Sequence, residues 1–180
     1  IIAANVDHAF IVVTLAFPEV KLPFIDRLLV TCEVYGVKPV IVLNKIDIVD
    51  EFRDDFAPAL ENFHRIYEGA GYSILEVSAK TGRGVDELRR LCLEKSEDGA
   101  PGISLFSGVS GVGKSSLIKA MDPSLNPKTG LISEAHLQGR HTTTFYEMYP
   151  LCGGEGCIID TPGIRGFGLV DLEPEEISLY

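Results

Sequence analysis

The chain has 180 residues, 46% of them hydrophobic and 23% charged, the balance of one globular domain with a sizeable core. A formal net charge of −10 argues against a broad, non-specific nucleic-acid surface on this piece, while leaving room for local basic patches or basic flanking domains. The longest apolar run, residues 9–17, is far too short to cross a bilayer, and no charged leader with a cleavage site is present, so a cytoplasmic protein without a membrane partner is expected. The chain begins at Ile1 and stops at Tyr180, inside a helix-like stretch at Pro174-Glu175-Glu176-Ile177, as the excised middle of a longer protein would.

Residues 9–15 form a continuous apolar, β-branched run, the mark of a strand buried on both faces of a parallel sheet. Pro18 ends it. Pro23 opens a helix to about Tyr35, with Phe24, Leu28, Leu29 and Cys32 near helical spacing and Gly36 closing it. Residues 38–43 are a second buried strand, running into Asn44-Lys45-Ile46-Asp47. An acidic amphipathic helix follows over about 50–68, with Pro58 inside it marking a kink or a break. Residues 72–77 are a third strand, ending in Ser78-Ala79-Lys80. A turn, Thr81-Gly82-Arg83-Gly84, leads to a helix from Val85 to about Lys95, with Val85, Leu88, Leu91 and Cys92 on one face. Residues 97–102 make a short polar connector.

The strand at 103–106 enters Gly108-Val109-Ser110-Gly111-Val112-Gly113-Lys114-Ser115, and a helix-like segment, 116–121, leaves it. From 122 to 141 the periodicity is lost, a loop length that in a compact domain commonly serves function. Residues 142–149 regain strand character. A Gly-rich hairpin turn between Cys152 and Cys157 leads to the last strand, 156–159, which ends in Asp160-Thr161-Pro162-Gly163. The alternation predicts an α/β fold with a mostly parallel sheet and helices on both faces. Cys32 and Cys92, on apolar helix faces, read as buried small hydrophobes in a reducing cytosol. Cys152 and Cys157 could supply half a zinc site, but no second pair or nearby His completes it, and the hairpin reading is preferred.

The segment 108–115 fits G-x-x-x-x-G-K-[ST] in its required strand–loop–helix context, the P-loop of nucleotide-binding proteins. Its glycines let several backbone N–H groups turn inward toward phosphate oxygens, and the following helix adds the positive end of its dipole. Lys114 can reach the β- and γ-phosphates, and the Ser115 hydroxyl can ligate Mg²⁺. Asn44-Lys45-Ile46-Asp47 fits N-K-x-D, a guanine-reading loop. The Asp47 carboxylate can accept from guanine N1–H and the 2-amine together, whereas adenine would leave it unpaired in a desolvated pocket. Asn44 can face guanine N7 and help to fix the neighbouring loops, and the Lys45 stem can lie against the base. Alone, this tetrapeptide would also suit a capped turn after a strand. Ser78-Ala79-Lys80 could present the Ala79 N–H to guanine O6, or be a helix-entry turn.

Asp160-Thr161-Pro162-Gly163 can orient the Mg²⁺ shell through Asp160, commonly by way of water, and sense the γ-phosphate through the Gly163 N–H; alone it would equally be an Asp–Pro–Gly turn. In Gly139-Arg140-His141-Thr142-Thr143-Thr144 one threonine hydroxyl could ligate Mg²⁺, although β-propensity alone explains three threonines. Each of the strand-end loops falls where open α/β sheets bind ligands.

Their order is the diagnostic feature. Ordinary small GTPases place the P-loop first and N-K-x-D and S-A-K last; here those two precede the P-loop, a circular permutation joined through residues 97–102. The chain resembles the ribosome small subunit-dependent GTPase family (RsgA, also called YjeQ or EngC). The resemblance covers essentially all of it. It is carried by Ala3-Ala4-Asn5-Val6-Asp7, Ile25-Asp26-Arg27, Asn44-Lys45-Ile46-Asp47, the P-loop through Ser116, Gly139-Arg140-His141-Thr142-Thr143-Thr144 and Asp160-Thr161-Pro162-Gly163. It implies a monomeric GTPase of late 30S maturation, slow alone and stimulated by the 30S subunit. It also implies contact with 16S rRNA mainly through flanking domains, an N-terminal OB-fold and a C-terminal zinc domain beyond Tyr180. By the family pattern, GTP or GDP is held by the N-K-x-D, S-A-K and P-loop residues, Ser116 and Gly163, and Mg²⁺ by Ser115, Thr143 and Asp160, with Thr142 the nearest rival to Thr143.

A Ras-like enzyme has Gln directly after its D-x-x-G to orient the attacking water; here that residue is Ile164, which cannot. His141, beside the switch threonines, is the candidate to act instead, the alternative being a histidine that only packs or contacts a partner. Catalysis is thus expected of Lys114, Thr143 and His141, with Arg140 and Arg165 open to charge stabilisation or rRNA contact. Two other classes stay open: a GTP-switched binding module in which hydrolysis only times release, and an unrelated ATP-using P-loop enzyme.

Overall fold

The computed structural model describes residues 6–127 and 147–160. Among these, β1 (His8–Val13), β2 (Lys38–Leu43), β3 (Ile74–Glu76), β4 (Gly102–Ser107), β5 (Glu147–Leu151) and β6 (Gly156–Asp160) form one sheet in the order β3-β2-β1-β4-β6-β5. All neighbours are parallel except β5, which runs antiparallel to β6 along the edge. The central β1 is buried at every residue, as its unbroken apolar run requires of a strand covered on both faces. Phe10 and Phe106 face each other in the β1–β4 register, 5.1 Å between ring centroids and fully buried. Burying each such side chain contributes about 1.5–3 kcal/mol.

The helices are α1 (Leu22–Val34), α2 (Ile46–Glu51), α3 (Arg53–Gly69), α4 (Val85–Cys92) and α5 (Lys114–Met121). From β1 to β2 to β3 the chain marches outward; from β3 it returns across two strands to β4. Right-handed crossovers therefore place α4 on the opposite face from α1 and α3. The contacts agree: the Tyr67 hydroxyl of α3 donates to Asp26 of α1 at 2.9 Å, while α4 packs on α5, β4 and β6.

The join made by the permutation is fastened at both ends. The Asp7 carboxylate accepts from the Ile103 N–H and the Ser96 hydroxyl, both at 2.7 Å, and the Asp7 N–H donates to the Ile103 carbonyl at 2.9 Å. A Cβ on Gly102 would collide with the Glu94 carbonyl, so the connector enters β4 only with glycine there.

One predicted helix is two. The acidic segment starts earlier, at Ile46, and breaks at Phe52 instead of at Pro58. Pro58 sits in the second turn of α3 on an exposed face, where the Asp54 carbonyl that loses its partner can meet water. The third strand is shorter than predicted, and α4 stops at Cys92 instead of near Lys95. Cys152–Gly154 form a 3₁₀ turn closing the β5–β6 hairpin, and no grouping of three metal-ligating side chains exists among the described residues. Cys92 is buried in the core as expected, whereas Cys32 is half-buried against its edge; burial pushes both thiols up to about 12.

Candidate nucleotide site

Because β2, β3, β4 and β6 are parallel, Asn44, Ser78, Gly108 and Asp160 all emerge at one edge of the sheet. The P-loop leaves the most central of these strands. Gly113 has φ +96 and is the residue before α5; a Cβ there would overlap the Asn44 amide nitrogen. Gly108 is equally constrained, its missing Cβ leaving space for the Val12 carbonyl. Val112, fully buried, pins the middle of the loop to the core. Ser110 and Gly111 are the exposed crest, and α5 begins at Lys114, two residues earlier than predicted, so Ser115 and Ser116 lie in its first turn.

Lys114 is 8% exposed, and its ammonium donates to the Gly108 carbonyl at 2.7 Å and the Val109 carbonyl at 3.3 Å. Burial pulls this ammonium below its ordinary pKa, and the Asp160 carboxylate opposes the shift. A buried lysine ammonium held against the phosphate-loop backbone at the start of a helix is an arrangement that favours a bound polyanion.

The N-K-x-D loop is bound into the same unit. Asn44 is 2% exposed; its amide nitrogen donates to the Val112 carbonyl at 2.7 Å and its oxygen accepts the Ala79 N–H at 3.3 Å. Of the two tasks open to Asn44 in sequence, facing N7 or fixing loops, both ends of the amide serve the second. The Ala79 N–H, assigned to guanine O6, here meets Asn44 at the long end of the hydrogen-bond range. Lys45 adopts a left-handed φ of +62, costly for a non-glycine residue, and its ammonium donates to the Gly111 carbonyl at 2.8 Å and to the Phe17 carbonyl. Desolvation lowers its pKa, with Asp47 acting in the other direction. Asp47, in the first turn of α2, accepts from the Ser78 hydroxyl at 2.6 Å, with the Lys80 ammonium 3.9 Å away. A carboxylate has about four acceptor directions, so capacity remains for a base edge.

Asp160 ends β6 opposite Phe106 of the P-loop strand, and Ser115 lies in the first turn of α5; these hard oxygen donors beside the phosphate loop suit Mg²⁺. His141, Thr143 with its rival Thr142, Arg140, Gly163, Ile164 and Arg165 lie outside the described residues, as do Ala3 to Asn5.

Two contributors carry no motif. The loop after β1 reaches the site through the Phe17 carbonyl, with Pro18 packed beside Gly111. In sequence, Phe17-Pro18 signals only a strand end. Arg83, in the turn after S-A-K, binds Asp50 and Glu76 across two elements, and nothing local announces it.

The strand order, these loops and their order along the chain define a circularly permuted P-loop GTPase domain. The family model described as RsgA GTPase matches residues 1–170, and the chain belongs to that family. It is 48% identical over 180 residues to the small ribosomal subunit biogenesis GTPase RsgA of Flavobacterium johnsoniae, covering all of this chain and 52% of that protein. To the protein of the same name from Bacteroides fragilis it is 47% identical over 180 residues, covering all of this chain and 54% of that one. The chain thus spans about half the length of the curated relatives it matches. Among solved structures, YjeQ from Thermotoga maritima superimposes with a TM-score of 0.74 at 36% identity, covering 96% of this chain and 53% of the other. YloQ, described as a circularly permuted GTPase, shares the fold with a TM-score of 0.64 at 24% identity, over 97% of this chain and 50% of that one.

Proposed function

We propose that this domain binds GTP with Mg²⁺, and hydrolyses it slowly alone and faster on the 30S ribosomal subunit, in the late maturation of that subunit. The observation that carries the reading is Asn44, whose buried amide joins the phosphate loop, the N-K-x-D loop and the S-A-K loop into one rigid unit. Base selection and phosphate binding then act on one ligand. Asp47 accepts from the guanine Watson–Crick edge, with the Ala79 N–H beside O6. Gly108 to Gly113, Ser115 and Ser116 offer N–H groups to the phosphates, and Lys114 exchanges its loop carbonyls for phosphate oxygens.

Ser115, Asp160 and Thr143 would hold Mg²⁺, which when bound neutralises charge between the β- and γ-phosphates. Gly163 senses the γ-phosphate, and Thr143 and His141 complete the catalytic set, with His141 aiming the attacking water where Ile164 cannot. The names of the relatives, small ribosomal subunit biogenesis GTPases, support the ribosomal partner. With a net charge of −10, this piece is a poor general rRNA surface, so contact with 16S rRNA falls mainly to a flanking OB-fold and zinc domain, in a cytoplasmic monomer.

The test is GTP turnover by the intact protein alone, with purified 30S subunits and with 50S subunits. Stimulation by 30S alone is expected. Selective GTP binding with no stimulation by either would sink the small-subunit reading and keep the GTPase site. Nucleotide-dependent 30S affinity with unmoved turnover would replace the enzyme reading by that of a switched binding module.

A further inference from the structure

Asp47 and the Ala79 N–H, the two groups assigned to the base, belong to different elements: Asp47 to the first turn of α2, Ala79 to the loop after β3. Their separation is set by whatever ties α2 to that loop. The Ser78–Asp47 hydrogen bond, with the exposed Lys80 ammonium 3.9 Å from the same carboxylate, is one tie, and the Ile46 N–H donating to the Val77 carbonyl at 3.2 Å is a second. Arg83 is the third, and it acts on both elements at once. Its carbonyl accepts the Ser78 N–H at 2.9 Å, closing the loop on itself. Its guanidinium donates from Nη1 to Asp50 at 2.7 Å and from Nη2 to Glu76 at 2.6 Å. Asp50 lies one helical turn beyond Asp47 on α2, and Glu76 is the last residue of β3.

Glu76 is itself restrained. Its other oxygen meets His64 Nε2 of α3 at 3.0 Å, and the opposite ring nitrogen meets Glu68 at 2.9 Å. Gly84, next in the chain, has φ +71 and no room for a Cβ against the Glu76 carbonyl, so the chain leaves the turn in one direction. A rigid planar fork with two acceptors on two elements fixes a spacing, which a flexible ammonium point charge does less well.

We propose that Arg83 is a specificity-positioning residue, holding the Asp47 carboxylate and the Ala79 N–H at the separation that guanine requires; this rests on the guanine-reading assignment above. The Arg83 side chain is 49% exposed, and ion pairs at such sites contribute little to global stability. The consequence of losing it therefore falls on the fit of the base more than on folding.

The experiment is displacement of a fluorescent GDP analogue from the intact protein by GDP, IDP and ADP, in wild type, Arg83→Gln, Arg83→Lys and Asp47→Asn, with melting temperatures measured beside it. IDP lacks the 2-amine, so the GDP-over-IDP preference reports the Asp47 alignment. Arg83→Gln is expected to shrink that preference by about threefold, the scale of an exposed ion pair, with Arg83→Lys intermediate and melting little changed. An unchanged preference in Arg83→Gln, while Asp47→Asn abolishes it, overturns the positioning role and leaves guanine reading intact. So does a parallel loss of affinity for all three nucleotides with a fall in melting temperature, which marks a merely structural residue. If wild type does not favour GDP over ADP, or Asp47→Asn leaves the preference in place, guanine reading itself fails and the role of Arg83 with it.

Discussion

At the scale of single residues, the site depends on buried polar groups whose partners are distant in sequence. Asn44 is the sharpest case. Replacing it with Ala would strip the Val112 carbonyl of its donor and the half-buried Ala79 N–H of its acceptor, and a buried group such as that carbonyl left unsatisfied costs about 1–3 kcal/mol. The expected outcome for Asn44→Ala is a lower denaturation midpoint together with at least about tenfold weaker GDP binding by calorimetry, because three loops lose their common tie. A lower midpoint with unchanged affinity would show that the loops keep their places without it. The residue types at these positions were legible in sequence, since each serves a chemistry that few side chains can supply. The direction in which Asn44 and Lys45 point was not, because their partners Val112, Gly111 and Phe17 lie on other elements.

At the scale of elements, α3 is held to β3 by a histidine between two carboxylates. Burial alone would lower the pKa of His64, yet the hydrogen bonds to Glu68 and Glu76 hold it above the ordinary 6.5. Asp50, Arg53 and Glu61 share the cleft beside it, and Arg83 completes the charge pattern through Glu76. A folded-state pKa above the unfolded value means that the stabilisation is complete below pH 6.5 and disappears as pH rises through the folded value. Urea midpoints of wild type and His64→Gln should therefore differ most near about pH 5.5, above the carboxylate range, and converge in alkaline solution. A difference that grows with pH would contradict the imidazolium assignment. Element type was well marked in sequence, because a buried parallel strand needs an unbroken apolar run and an amphipathic helix a 3.6-residue stripe. The helix break at Phe52 was not marked. Pro58 gave the stronger local signal, but an exposed proline in the second turn leaves only a carbonyl that water can satisfy.

At the scale of the whole molecule, the permuted order requires a join between the helix after S-A-K and the P-loop strand, and Asp7 fastens it. Asp7→Ala would leave the Ile103 N–H and the Ser96 hydroxyl without their acceptor. A loss of about 1–3 kcal/mol in chemical denaturation is expected, with GDP affinity retained once the protein is folded, since no side chain of the nucleotide site is touched. An unchanged denaturation curve would mean that the connector holds itself. The sequence by itself determined the class of this domain: which loops exist, which chemistry each can carry, and in what order they follow one another, all of which are properties of residues near each other along the chain. Only the tertiary structure decided how those loops act together, through Asn44 across three of them, Lys45 against the loop after β1, and Arg83 between α2 and β3. Those contacts join residues separated by up to 68 positions. Parallel strands are connected by long crossovers, so the partners at the edge of the sheet are set by strand order and register, which no local stretch of sequence contains.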